Sequence, residues 1–313
     1  MIVCVAGNPS IDKLFEVERV TPGEIHRPLA FFQVPGGKGL NVVRAATALG
    51  ADVTAVAILG GHAGRWVAEA LEAEGVRARF AWTAAETRAS LSVADRETGG
   101  LTEFYEDGSE IGPDAWAQLE RLIGELFDAG ARWLTMSGSL PPGAPADGYA
   151  RLVAEARRRD ARCALDAQGG ALRLAIAEGP TAVKVNDVEA GDLLGFHIAS
   201  AEESAGAARA IAEMAGGQGH AAIITRGAEG ATLIGPDGST WSGALYERGP
   251  YPVGSGDSFL AGLVTALDAD AGWPEALALA LGAGTANAEI PGAGRLDPTR
   301  ARELAGAAIV RRR

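Results

Sequence analysis

Residues 40–75 read LNVVRAATALGADVTAVAILGGHAGRWVAEALEAEG. From Leu40 the apolar residues recur at helical spacing, and the run stops at Gly50, a residue that ends helices without steric strain. DVTAVAILG follows as an apolar run of strand length. RWVAEALEAEG then returns to helical spacing and stops at Gly75. Helix, strand and helix joined by brief connections predict βαβ units, and hence parallel strands covered on both faces. Outward from this stretch the rhythm repeats. IVCVAG at 2–7 reads as a buried strand, and further strands are expected near 132–137, 162–166, 181–185 and 220–225, with helices between them. The fold class is therefore α/β: a mostly parallel central sheet with helices on both faces. Segments 12–34 and 78–106 break the rhythm, reading as strands and turns without helices. They are expected to form a small β-sheet appendage on a single α/β domain spanning 1–313. ATLIGPDGSTWSGA at 231–244 reads as a hairpin turning at Pro236-Asp237-Gly238.

The 313 residues are 47% apolar and 22% charged, enough to build a packed core. The net charge of −12 argues against nucleic acid or anionic membrane as a partner, since both demand dense positive charge. An anionic substrate would have to be held by a few local cations. Only Lys13, Lys38 and Lys184 are lysine; every other basic side chain apart from histidine is arginine. Cys4 and Cys163 lie in apolar runs without metal-ligand spacing, which suggests a reducing compartment. The N-terminus lacks a basic region and a long apolar run, and no segment is apolar enough to span a bilayer. A cytoplasmic protein is expected. The histidines share no motif.

In an open parallel sheet, ligands sit beyond the carboxyl ends of the strands. Polar clusters fall there: GNPSID (7–12), SGSLPPG (137–143), VND (185–187) and TRGAEG (225–230). YPVGSGDSFLAGL (251–263) adds a glycine loop running into a helix. Gly254, Ser255 and Gly256 let backbone amides approach a ligand, and the first N–H groups of the helix favour an anion such as a phosphoryl group in transfer. Asp257, on the first turn, can accept a proton from an attacking hydroxyl. The plain alternative is a turn with a helix cap. Lys38 is followed by Gly39, so this is no Walker loop, and GGHAGRW (60–66) lacks dinucleotide-binding spacing.

VPGGKGLNVVRAATALG (34–50) and VGSGDSFLAGL (253–263) resemble the two signatures of the PfkB-type carbohydrate kinases, in the ribokinase superfamily. GNPSID, ETRASLSV (86–93), SGSLPPG, KVNDVE (184–189) and TRGAEG match further family segments in order. NPSID, SGSLPPG and ETR are most similar to the branch of 1-phosphofructokinases and tagatose-6-phosphate kinases; Ser255 resembles the latter, where most relatives carry alanine. The resemblance implies a ribokinase-like fold with a β-sheet lid, ATP and Mg²⁺, a phosphorylated ketohexose as substrate, and a homodimer whose lids clasp. It implies Asp257 as base, with Gly254 and Gly256 as the anion hole. Asp12, Gly37, Lys38 and Asn41 would hold the sugar, while Arg88 and Ser139 would hold its existing phosphate and Arg27 would add a charge across the dimer. Asn186 and Glu189 would organise Mg²⁺ through water, with Lys184 beside them reaching a phosphate. Thr225, Gly227 and Gly230 would bind the nucleotide and Asn287 would line the adenine pocket. Val185 departs from the proline usual in relatives. Phosphorylation of fructose 1-phosphate is the first expectation and of tagatose 6-phosphate the second. Behind these stand a kinase for an unphosphorylated sugar or nucleoside, and a non-catalytic sugar-phosphate sensor.

Overall fold

The computed structural model describes residues 1–313. Strand Ile2–Ala6 is buried along its whole length and alternates between two cores: Ile2 and Cys4 pack with one, Val3 and Val5 with the other. A continuous apolar run suits a strand covered on both faces. It pairs in parallel with Val53–Gly60 on one side and Trp133–Ser137 on the other. Parallel pairing continues outward through Arg162–Asp166, Ala182–Asn186 and Ala221–Thr225. The predicted hairpin, Ala231–Ile234 with Thr240–Ala244, then adds antiparallel, and Ile309–Arg312 closes that edge of the ten-stranded sheet.

Helices Lys38–Ala48, Gly61–Ala73, Ser255–Asp268, Trp273–Ala288 and Pro298–Ala307 cover one face. Pro113–Asp128, Gly148–Arg158, Gly169–Ile176, Asp187–Leu194 and Ala201–Met214 cover the other. This is the ribokinase-like arrangement expected. No helix is long and apolar enough to cross a membrane.

A separate four-stranded sheet has the order Ala30–Gly36, Ser10–Val17, Arg88–Asp95, Leu101–Tyr105. One correction concerns its second segment. Ala78–Thr83 belongs to the large sheet, pairing in parallel with Val53–Gly60. As the half-exposed outer strand it carries the alternating pattern that also marks a two-sided lid strand, so its sequence did not distinguish the two sheets. The small sheet begins again only at Arg88.

Candidate active site

The strand order reverses at the first strand, whose neighbours Val53–Gly60 and Trp133–Ser137 lie on opposite sides of it. The polar loops converge at the carboxyl ends of these strands, as the rule for open sheets requires. They surround a cavity of about 730 Å³. Its wall includes Asp12, Gly37, Lys38, Asn41, Arg88, Ser139, Lys184, Asn186, Thr225, Gly227, Gly230 and the whole stretch Gly254–Asp257.

At the floor, Gly254 caps the helix Ser255–Asp268 with φ 82°. A β-carbon there would lie 2.6 Å from the Cα of Ala293, so backbone strain and space both demand glycine. A β-carbon on Gly256 would lie 2.9 Å from the Lys184 Nζ, which places that ammonium directly against the loop of amides. The Ser255 hydroxyl is buried and without a partner. Asp257 is buried on the first turn, where its Oδ2 accepts a 2.8 Å hydrogen bond from Asn41 Nδ2. Burial, assisted by the nearby Asp166 charge, pushes its carboxyl up to about 7, although Asn41, Lys38 and Lys184 pull the other way.

Asp166, a residue the sequence reading passed over, organises the cations. Fully buried at the end of its strand, it accepts from Lys184 at 2.7 Å and from Lys38 at 3.2 Å. Burial alone would raise its carboxyl, but the two ammonium groups hold it below the ordinary carboxylate value. Lys38 is held above its ordinary value by Asp166 foremost, against the opposing effect of its own burial, with Glu189 and Asp257 adding. Its other partner is Glu189, at 3.2 Å.

Asn186 and Glu189 form a capping box on helix Asp187–Leu194, with bonds of 2.8 and 2.9 Å. The cap uses the Asn186 oxygen, and each Glu189 oxygen already accepts one bond. No group of three or more acidic, histidine or cysteine side chains is gathered to cage a metal. The donor set fits a hydrated Mg²⁺ held through water, an ion that keeps its waters and leans on substrate phosphates. Val185 lies buried within its strand, so the loss of proline leaves this corner ordered.

Toward the small sheet, the Asp12 carboxylate accepts from Ser10 Oγ at 2.6 Å and fills the space where a β-carbon of Gly36 would stand. Burial raises its pKa, moderated by Ser10, the Gly37 amide, Arg88 and Arg44. Arg88 donates to the Asn8 carbonyl at 3.3 and 3.4 Å, to Ser90 at 3.3 Å and to the Glu106 carbonyl at 2.9 Å. Asn8 in turn donates to Ser139 Oγ at 3.1 Å, so Arg88 and Ser139 flank one corner. Arg27 is exposed on the loop between two small-sheet strands, outside the cavity. At the opposite end lie Thr225, Gly227 and Gly230; Gly230 has φ 94°, and a β-carbon there would strike the Gly243 carbonyl.

The expectation for Asn287 is corrected. It is fully buried, accepts from Ser258 Oγ at 3.0 Å and from the Gly294 amide at 2.8 Å, and donates to the Val253 carbonyl at 2.9 Å. Its amide is spent on fastening the chain just before Gly254 and does not line the cavity. Asp166 had one available signal: a carboxylate at the end of a predicted parallel strand, level with the other polar strand ends.

The chain is similar to known proteins along nearly its whole length. The model of the pfkB family carbohydrate kinases matches residues 3–300. A 1-phosphofructokinase of Xanthomonas campestris is 33% identical, covering 98% of this chain and 97% of the relative. That of Rhodobacter capsulatus is also 33% identical, over 85% of this chain and 83% of its own. The crystal structure of phosphofructokinase-2 from Escherichia coli in complex with fructose-6-phosphate superposes with a TM-score of 0.87 at 26% identity, covering 97% of each chain. Two ordered signatures, a cavity walled by both of them and a family match over nearly the whole length agree: the chain belongs to the PfkB family of carbohydrate kinases.

Proposed function

We propose that the protein is an ATP-dependent 1-phosphofructokinase that converts fructose 1-phosphate to fructose 1,6-bisphosphate. The observation that carries this reading is the buried Asp257 beside the amides of Gly254 and Gly256, in the same cavity as the Arg88–Ser139 corner. The relatives named 1-phosphofructokinase support the choice of acceptor.

Asp257 accepts the proton of the C6 hydroxyl as that oxygen attacks the γ-phosphorus of ATP. The bond from the γ-phosphorus to the β,γ-bridging oxygen breaks in line, and ADP leaves. Such transfer needs positioning and charge stabilisation rather than a covalent enzyme intermediate. The amides of Gly254 and Gly256, with Lys184 against them, stabilise negative charge on the transferring group, while the Ser255 N–H is given to the Pro252 carbonyl and braces the loop. Asn41 aims the Asp257 carboxylate, and Asp166 keeps both lysines in place. Asn186 and Glu189 would hold a hydrated Mg²⁺ through water, and that ion would supply charge neutralisation to the ATP phosphates. Thr225, Gly227 and Gly230 receive the nucleotide. Asp12, Gly37 and Asn41 position the sugar, and Arg88 with Ser139 binds its 1-phosphate. A charge-assisted bond is worth roughly 1.5–3 kcal/mol, so this corner can decide which sugars are accepted.

The test is ADP release with ATP and Mg²⁺ over fructose 1-phosphate, fructose 6-phosphate, tagatose 6-phosphate, fructose and ribose. Highest kcat/KM on fructose 1-phosphate is expected. Preference for tagatose 6-phosphate would favour the reading suggested by Ser255, and turnover of free sugars alone would remove the Arg88 assignment.

The pH profile gives a second check. A base must be deprotonated, and Asp257 is pushed up to about 7. The kcat/KM is therefore expected to be highest above that pH and to fall about tenfold per unit well below it. Asp166→Asn removes a charge that raises Asp257 and frees two that lower it, so the acid limb moves to lower pH. An acid limb unmoved by that substitution would contradict the electrostatic account.

We also propose a homodimer through the small sheet acting as a lid. Phe31 and Phe104 are 53% and 61% exposed there, and Ile25, on the loop joining two of its strands, is 89% exposed. Phe31 and Phe104 stand on one face of the sheet, on its two outer strands, and exposed apolar side chains on one free face favour association. Sedimentation at micromolar concentration should give twice the 32.0 kDa chain mass, and Phe31→Asp with Phe104→Asp should give the monomer. A wild-type monomer would refute the dimer.

A further inference from the structure

Arg44 belongs to neither catalytic signature role, yet it is almost completely buried on the helix Lys38–Ala48, one turn beyond Asn41. Its Nε and Nη2 engage both carboxylate oxygens of Glu74. Its remaining nitrogen, Nη1, donates to two carbonyls from distant parts of the chain: Ala293 at 2.7 Å and Pro35 at 3.3 Å. Pro35 lies in the small-sheet strand Ala30–Gly36, one residue before the Gly36 that abuts Asp12. Ala293 is the residue against which Gly254 is packed. The next residue, Gly294, has no room for a β-carbon because the Cα of Asn41 would be 2.6 Å away. There is thus no slack between the Ala293–Gly294 turn, the Gly254 loop and the Arg44 helix. One nitrogen joins the root of the lid to the buttress of the amide cradle.

We infer that Arg44 is a positioning residue that couples the acceptor-sugar end of the cavity to the phosphoryl-transfer end. The inference rests on the kinase reading above. Seating a sugar against Asp12 and Arg88 fixes the strand that carries Pro35. Through Nη1 that strand fixes Ala293, and Ala293 fixes Gly254 in its left-handed conformation. Lysine at this position keeps the charge but has a single nitrogen, which cannot hold Glu74 and both carbonyls together.

The experiment is calorimetric titration of a non-hydrolysable ATP analogue with Mg²⁺, with and without saturating acceptor sugar. In the wild-type enzyme the sugar is expected to tighten the nucleotide at least fivefold, within the usual range of coupling between sites. In Arg44→Lys the factor is expected to fall below about twofold, with kcat reduced and each binary Kd little changed. Glu74→Ala, at a half-exposed site, removes the anchor of the fork without burying a new group and is expected to halve the coupling or more. A purely structural arginine would lower the melting temperature and leave the coupling factor intact. Wild-type coupling in either variant, or none in the wild-type enzyme, would overturn the inference. If the sugar panel identifies an acceptor other than a ketohexose phosphate, the substrate reading fails, and the same titration with that acceptor still decides the role of Arg44.

Discussion

Asp257→Asn is expected to lose at least roughly 10²-fold in turnover, and up to about 10⁴-fold, while binding ATP as the wild-type enzyme does. The amide is nearly isosteric and can still accept the bond that Asn41 Nδ2 gives the native carboxylate, so the cavity keeps its shape. Only the capacity to take a proton is lost. Stability separates this outcome from damage to the fold. The Asp257 carboxyl is raised from 3.8 to about 7 in the folded protein. The native state therefore binds that proton more tightly than the unfolded chain, and the carboxylate erodes stability as pH rises through this window. Asparagine has no proton to lose. The variant should therefore match or exceed the wild-type melting temperature at pH 8 while being nearly inactive. Near-normal turnover would end the role of Asp257 as base.

The second large effect is expected at Arg88. Its guanidinium is held by carbonyls and a hydroxyl, and the bonds to Asn8 are long, at 3.3 and 3.4 Å. A phosphate dianion is a stronger acceptor than a peptide carbonyl and can draw these donors toward itself. Arg88→Ala removes one or two charge-assisted bonds, each worth roughly 1.5–3 kcal/mol. The expected loss is roughly 10- to 10⁴-fold in kcat/KM for the sugar phosphate, where each 1.4 kcal/mol is tenfold, with KM for ATP little altered. Lysine should restore only part, since it supplies charge without the planar fork. An alanine variant with wild-type KM for the sugar phosphate would place the phosphate elsewhere.

The parts of this protein that were legible in its sequence are those governed by local rules. Helices ending at Gly50 and Gly75, and the apolar strand Ile2–Ala6, follow from spacing over a few residues. The residues of the two signatures line one cavity because each signature joins a polar turn directly to a helix start. What escaped depends on distant partners. Ala78–Thr83 has the alternation of a lid strand, and only its pairing with Val53–Gly60 assigns it to the large sheet. Asn287, a polar residue in an alanine-rich helix, suggests a ligand until it is found fully buried and bonded to Ser258, Val253 and Gly294. Asp166 lies outside every motif, and Arg44 sits within the first signature without a role that the motif names; the meaning of both lies in the lysines and carbonyls that the folded chain brings to them.

The two thiols have a practical consequence. Cys4 and Cys163 are shut inside the sheet layers, unpaired, and burial pushes them up to about 12 and about 11. Thiolate is the nucleophile, so neither sulfur competes for an alkylating dye at neutral pH. A cysteine introduced at exposed Glu18, just past the small-sheet strand Ser10–Val17 and off the face that carries Phe31 and Phe104, would therefore take a fluorophore alone. The native chain already serves as the blank background on which any movement of that sheet on adding substrates can be timed by emission.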